Sequence, residues 1–116
     1  MEENVIYKLS KRFALRMRKL YVCLSDERKE YMMSKQLYRS GTSIGANIAE
    51  SLYAQSEADY INKLKVALKE ASESKYWLDL LFESKLLTQA EYESLANDVS
   101  VIIGTLVNII NKIAKK

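Results

Sequence analysis

The chain has 116 residues, one cysteine, three glycines, no proline and no histidine, and a formal net charge of +3. That length suits one domain, residues 1–116, with a modest core. A lone cysteine excludes an internal disulfide, and the missing histidine excludes His-based triads and the usual zinc ligand sets, so no metal or cofactor is expected.

The opening stretch, MEENVIYKLSKRFALRMRKL, is charged where a secretory signal needs an apolar segment. No apolar run approaches the ~18 residues of a membrane span, so a cytoplasmic protein with no membrane partner is expected. The charge is unevenly spread. Residues 1–40 hold ten Lys/Arg against five Asp/Glu, whereas residues 41–116 hold eight against ten. The front of the chain is basic.

Helix one is predicted over roughly residues 4–24, where Ile6, Leu9, Phe13, Met17, Leu20 and Leu24 recur at spacings of three and four. At about 100° per residue, Lys8, Lys11, Arg12, Arg16, Arg18 and Lys19 share an arc of roughly 160° on the opposite side. Leu15 and Val22 fall inside that basic arc and read as a second contact seam. Ser25, followed by Asp26 and Glu27, reads as the cap of helix two, which would run to about Tyr53. Its apolar seam is Met33, Leu37, Ile44 and Ile48. Gln36, Ser40, Ser43, Asn47 and Glu50 form a separate polar stripe beside it.

SEAD at 56–59 resembles a capping box and opens helix three, which runs to about Ser84 with Tyr60, Leu64, Ala67, Ala71, Ser74, Leu78 and Leu81 as its seam. TQAE at 88–91 is a better box and opens helix four, whose seam is Tyr92, Leu95, Val99, Ile102, Leu106, Ile109 and Ile113. A period near 3.5 with short connections implies neighbouring antiparallel helices. The expected fold is all-α, an antiparallel up-down four-helix bundle; a continuous coiled-coil hairpin is the alternative.

Gly41, Thr42, Ser43 and Gly45 lower helix propensity by about 0.5–1 kcal/mol each relative to Ala, so a tertiary contact must offset them. Helix three is the expected partner, because Ala67, Ala71 and Ser74 are also small. Lys63, Glu70 and Trp77 lie beside that seam with Glu73 a little further round. Asn47, Glu50, Glu70 and a basic partner are expected to form a semi-buried polar network that specifies register.

The segments SKQLYRSGTSIGANIAES and SEADYINKLKVALKEASESKYWLDLLFES resemble bacterial four-helix-bundle proteins related to those encoded in intervening sequences of large-subunit ribosomal RNA genes. The accessory variability determinants of diversity-generating retroelements are relatives. The resemblance rests on Gln36, Arg39, Ser43, Ile44, Asn47, Ile48, Ala49 and Glu50, then Lys63, Ala67, Lys69, Glu70, Glu73, Tyr76 and Trp77. The family pattern usually has Gly after the NIAE glutamate and often Pro near the start of helix two; this chain has Ser51 and no proline. The resemblance implies a homopentamer around a central channel with a basic surface for nucleic acid.

Three functional classes follow. In the first, a non-enzymatic oligomer binds RNA or DNA through Lys8, Lys11, Arg12, Arg16, Arg18 and Lys19, helped by Lys35 and Arg39, with avidity multiplying a weak site. A basic helix face can equally be plain solvated surface. In the second, the oligomer is a scaffold for a partner enzyme, using helix three and the aromatics Tyr7, Tyr31, Tyr53 and Trp77. The third, an enzyme, is disfavoured: GTSIGANIAE lacks the Lys of a phosphate-binding loop, and Cys23 has no base near it in the predicted helix.

Overall fold

The structure, a computed structural model, describes residues 2–115 and the side chains of residues 5–115. Four helices run in chain order: α1 (Glu2–Val22), continued by a π-helical turn over Cys23–Glu27, α2 (Met32–Ser51), α3 (Glu57–Glu83) and α4 (Gln89–Ala114). No strand occurs among the described residues. The helices form an all-α bundle of 47 × 21 × 19 Å. α2 lies between α1 and α3, while α4 closes the bundle against α3 and, less extensively, against α1. This is the expected up-down neighbour order.

The core follows the predicted seams. Ile6, Phe13, Met17, Leu37, Ile44, Ile48, Leu64, Leu78, Val99, Ile102 and Leu106 are all buried, because each recurs on the one stripe of its helix that faces the bundle axis. α4 is long and apolar enough, by length and composition, to cross a membrane. Its Leu95, Val99, Ile102, Leu106 and Ile109 are packed into this core.

Local signals set two of the three later helix starts. The Thr88 hydroxyl accepts from the Glu91 N–H at 3.1 Å, and the Glu91 carboxylate accepts from the Thr88 N–H at 2.8 Å, a complete capping box. Ser56 accepts from the Asp59 N–H at 3.1 Å, but Asp59 reaches back to the N–H of Gln55, one residue before the cap.

The start of α2 differs from the expected one. Ser25 does not cap it; the helical path of α1 continues through Glu27, and the Ser25 hydroxyl is buried without a hydrogen-bond partner among the described residues. The reason is Leu24, which is fully buried on the same face as Leu20 and holds the chain on its helical path past the serine. The chain turns at Lys29, in the left-handed region at φ 57°, and Glu30 then does the capping. Its carboxylate accepts from the N–H groups of Met32, Met33 and Ser34 at 3.1, 3.0 and 2.7 Å.

The small residues of α2 also serve two neighbours where one was expected. Gly41 and Gly45 face α1: a Cβ on Gly41 would sit 2.5 Å from Met17 Cγ, and one on Gly45 would sit 3.4 Å from Ser10 Oγ. Ser40 faces α3, and its hydroxyl meets that of Ser74 at 2.9 Å in the buried interior. One step of about 100° separates residues 40 and 41, so they occupy different flanks of α2. Helix three is therefore the partner of the serine and helix one the partner of the glycines.

Candidate nucleic-acid interface

The expected polar network exists with different members. Arg39 on α2 is its basic centre, pairing with Glu70 at 3.0 Å and also with Glu73, both on α3. Gln36 accepts from Arg39 Nε at 3.4 Å, and the Trp77 indole N–H donates to Glu73 at 2.9 Å. The Trp77 hydrogen bond and then the Arg39 guanidinium hold the Glu73 carboxyl below its ordinary range. Glu50 pairs separately with Lys63 at 3.0 Å.

Asn47 and Ser43 do not join the network. Asn47 Nδ2 donates to the Ser43 carbonyl at 2.9 Å and the Ser43 hydroxyl to the Arg39 carbonyl at 2.7 Å, both within α2. Their side chains are short, and each finds a backbone acceptor one turn back on its own helix.

The basic residues divide into two groups. Arg16 leans to the α4 edge of α1, where it pairs with Asp98 and donates to Ser94 at 2.9 Å. Together with Arg39 it works as a cross-helix clamp. Lys8, Lys11, Arg12, Arg18, Lys19 and Lys35 are exposed, and none of them has an ion-pair partner among the described residues. The first five surround Leu15, which is 62% exposed, and Val22 is exposed beside them. The Arg18 guanidinium lies 6.0 Å from the centre of the Tyr38 ring, which stacks on Tyr21 at 5.0 Å. Tyr38 is three residues from Lys35 on α2, so Arg18 carries the cationic surface from α1 onto α2.

Two features escape a reading of spacing alone. Arg28 donates to Glu91 at 3.0 and 2.8 Å and to the Leu86 carbonyl at 2.7 Å, tying the α1–α2 connection to the start of α4. An open groove of about 780 Å³ is lined by Tyr31, Met32, Met33, Lys35, Gln36 and Trp77. The run YMM at 31–33 was its available signal, since three apolar residues at a helix start need a partner.

Among the described residues no cluster of Asp, Glu and Cys is placed to hold a metal ion. Burial pushes the Cys23 thiol up, with Glu27 adding to the effect against the opposing Arg28, so it stays protonated at neutral pH.

The profile of the family described as 23S rRNA-intervening sequence protein matches residues 2–108. No curated protein matches the chain. A crystal structure of a protein of unknown function from the S23 ribosomal protein family of Bacteroides thetaiotaomicron is 52% identical, with a TM-score of 0.95, covering 96% of this chain and 99% of that one. A profile that spans nearly the whole bundle, together with so close a structural likeness, means that the chain belongs to the 23S rRNA-intervening sequence protein family.

Proposed function

We propose that the protein is a non-enzymatic, cytoplasmic homo-oligomer, a pentamer as the family resemblance implies, that binds RNA or DNA through the cations on the outward arcs of α1 and α2. The observation that carries this reading is the set Lys8, Lys11, Arg12, Arg18, Lys19 and Lys35, exposed together with none of them in an ion pair among the described residues. Such a surface holds a phosphate backbone without reading sequence, and repeating it in every subunit raises weak contacts to useful affinity. Exposed Leu15 and Val22, one heptad apart on α1, support a contact between subunits.

The test is filter binding of mixed RNA and DNA at low and moderate salt, with Lys11→Glu plus Arg18→Glu as the variant. Retention that falls steeply with salt and is lost in the variant supports the reading; no retention at about 50 mM salt removes it. A second reading, an adaptor for a partner enzyme, is favoured by the same Leu15 and Val22, since an apolar seam bordered by cations also suits an acidic amphipathic helix. Recovery of one stoichiometric protein partner without nucleic acid would favour it.

A further inference from the structure

We infer that the groove between α2 and α3 is a stacking pocket for the unpaired bases of a single-stranded nucleic acid, an inference that rests on the proposed nucleic-acid function and narrows it. The groove joins the three things that such a ligand needs. It has ring and thioether surface on Tyr31, Met32, Met33 and Trp77, and it has a cation in its lining, Lys35. It also lies beside the outward cationic surface, because Lys35 sits one turn from Tyr38, over which Arg18 is placed. Bases stack on aromatic faces irrespective of sequence while the backbone follows the positive charge.

Several details fit this occupant better than a simple apolar one. Met32 is 81% exposed and Tyr31 is 58% exposed, so the surface is open to a ligand in the single chain. Trp77 is held by its hydrogen bond to Glu73, which presents a fixed indole plane. Gln36 uses its carbonyl oxygen on Arg39, leaving its amide N–H groups for a base edge.

The nearby carboxylates are turned to donors within the protein. Glu30 is engaged by three backbone N–H groups at the start of α2, and Glu70 and Glu73 share Arg39, with Glu73 also accepting from Trp77. Lys29 and Lys35 remain without an ion pair among the described residues. A base pair in a duplex hides its faces in the stack, so duplexes would reach only the outward cations and not the rings of the groove.

Trp77 is the only tryptophan, so its fluorescence reports this groove alone. The experiment titrates the full chain with a mixed-sequence single-stranded oligonucleotide and with the same sequence as a duplex, while mass is followed by light scattering. The expected result is quenching of Trp77 by the single strand and none by the duplex. Tyr31→Ala plus Met32→Ala should weaken single-strand binding about tenfold and leave duplex binding within about twofold. Met32→Glu, at a side chain too exposed to affect folding, should weaken single-strand binding in the same direction. Single-strand binding without quenching, or with full affinity in both variants, overturns the pocket and leaves the proposed function standing. A fall in oligomer mass in the variants also overturns it, marking the groove as a subunit contact. Failure to bind either nucleic acid overturns the proposed function and the pocket with it.

Discussion

Arg28 grips Glu91 with two parallel hydrogen bonds of 3.0 and 2.8 Å, and the same carboxylate closes the capping box of α4. One side chain therefore satisfies a helix terminus and locks the α1–α2 connection against it. The Arg28 guanidinium, helped by the Thr88 N–H, outweighs burial and lowers the Glu91 carboxyl from its ordinary 4.5 to about 2.

A carboxyl with a depressed folded pKa contributes stability that is complete above about pH 4.5 and lost as pH falls towards about 2. Both side chains are about one-third exposed, which screens the effect, so Glu91→Gln should cost about 1–2 kcal/mol at pH 7. Urea denaturation at a series of pH values should show the gap between wild type and variant closing on acidification. A gap constant down to pH 2 would mean that the charge is not the source.

The glycines make opposite predictions at Gly41 and Gly104. Gly41→Ala forces a Cβ to 2.5 Å from Met17 Cγ, in the middle of that side chain and not at its flexible tip. Thermal unfolding should show a loss of about 1–3 kcal/mol. At Gly104 a Cβ would meet nothing within 4 Å, so Gly104→Ala should gain about 0.5–1 kcal/mol through helix propensity. Equal effects at the two sites would contradict the tight α1–α2 approach.

Lys85 ends α3 at φ 64°, with the Leu86 N–H returning to the Leu81 carbonyl at 2.9 Å and the Lys85 N–H to the Phe82 carbonyl at 3.0 Å. That is the position and bonding pattern that glycine usually occupies after a helix. Lys85→Gly should therefore stabilise the fold by about 0.5–1 kcal/mol, less the entropy of the freer unfolded chain. Chemical denaturation checks it; a destabilised variant would show that the lysine side chain makes a compensating contact.

Ser40 and Ser74 share a hydrogen bond in the core, and their two protons are divided among that bond and the helix carbonyls in reach, Leu37 at 3.3 Å from Ser40 and Glu70 at 2.9 Å from Ser74. Each single change to Ala should cost about 1 kcal/mol, and the double change less than the sum. Strict additivity in the double-mutant cycle would mean that the two hydroxyls do not interact.

Arg39 and Arg16 should separate from the other cations in solution. Arg39→Gln leaves Glu70 and Glu73 facing each other without their shared partner, and should lower stability by about 1 kcal/mol. Lys8→Gln and Lys19→Gln should leave stability unchanged while weakening nucleic-acid retention. Paired melting and filter-binding measurements would show a role reversal as retention lost only with Arg39.

The four helices, their buried stripes and the capping box at Thr88 and Glu91 were legible in the sequence, because helix periodicity and caps depend on residues within a turn or two of each other. Three features were decided by the tertiary structure. Burial of Leu24 carried α1 past the Ser25 signal and moved the start of α2 to Glu30 and Met32. The rotation of α2 between its two neighbours, which its own periodicity does not encode, sent Gly41 to α1 and Ser40 to α3. The facing of the helices likewise placed Asp98 within reach of Arg16, and Glu70 and Glu73 within reach of Arg39. Charge can be counted along a chain, but its availability to a partner depends on which opposite charge the fold brings across the gap.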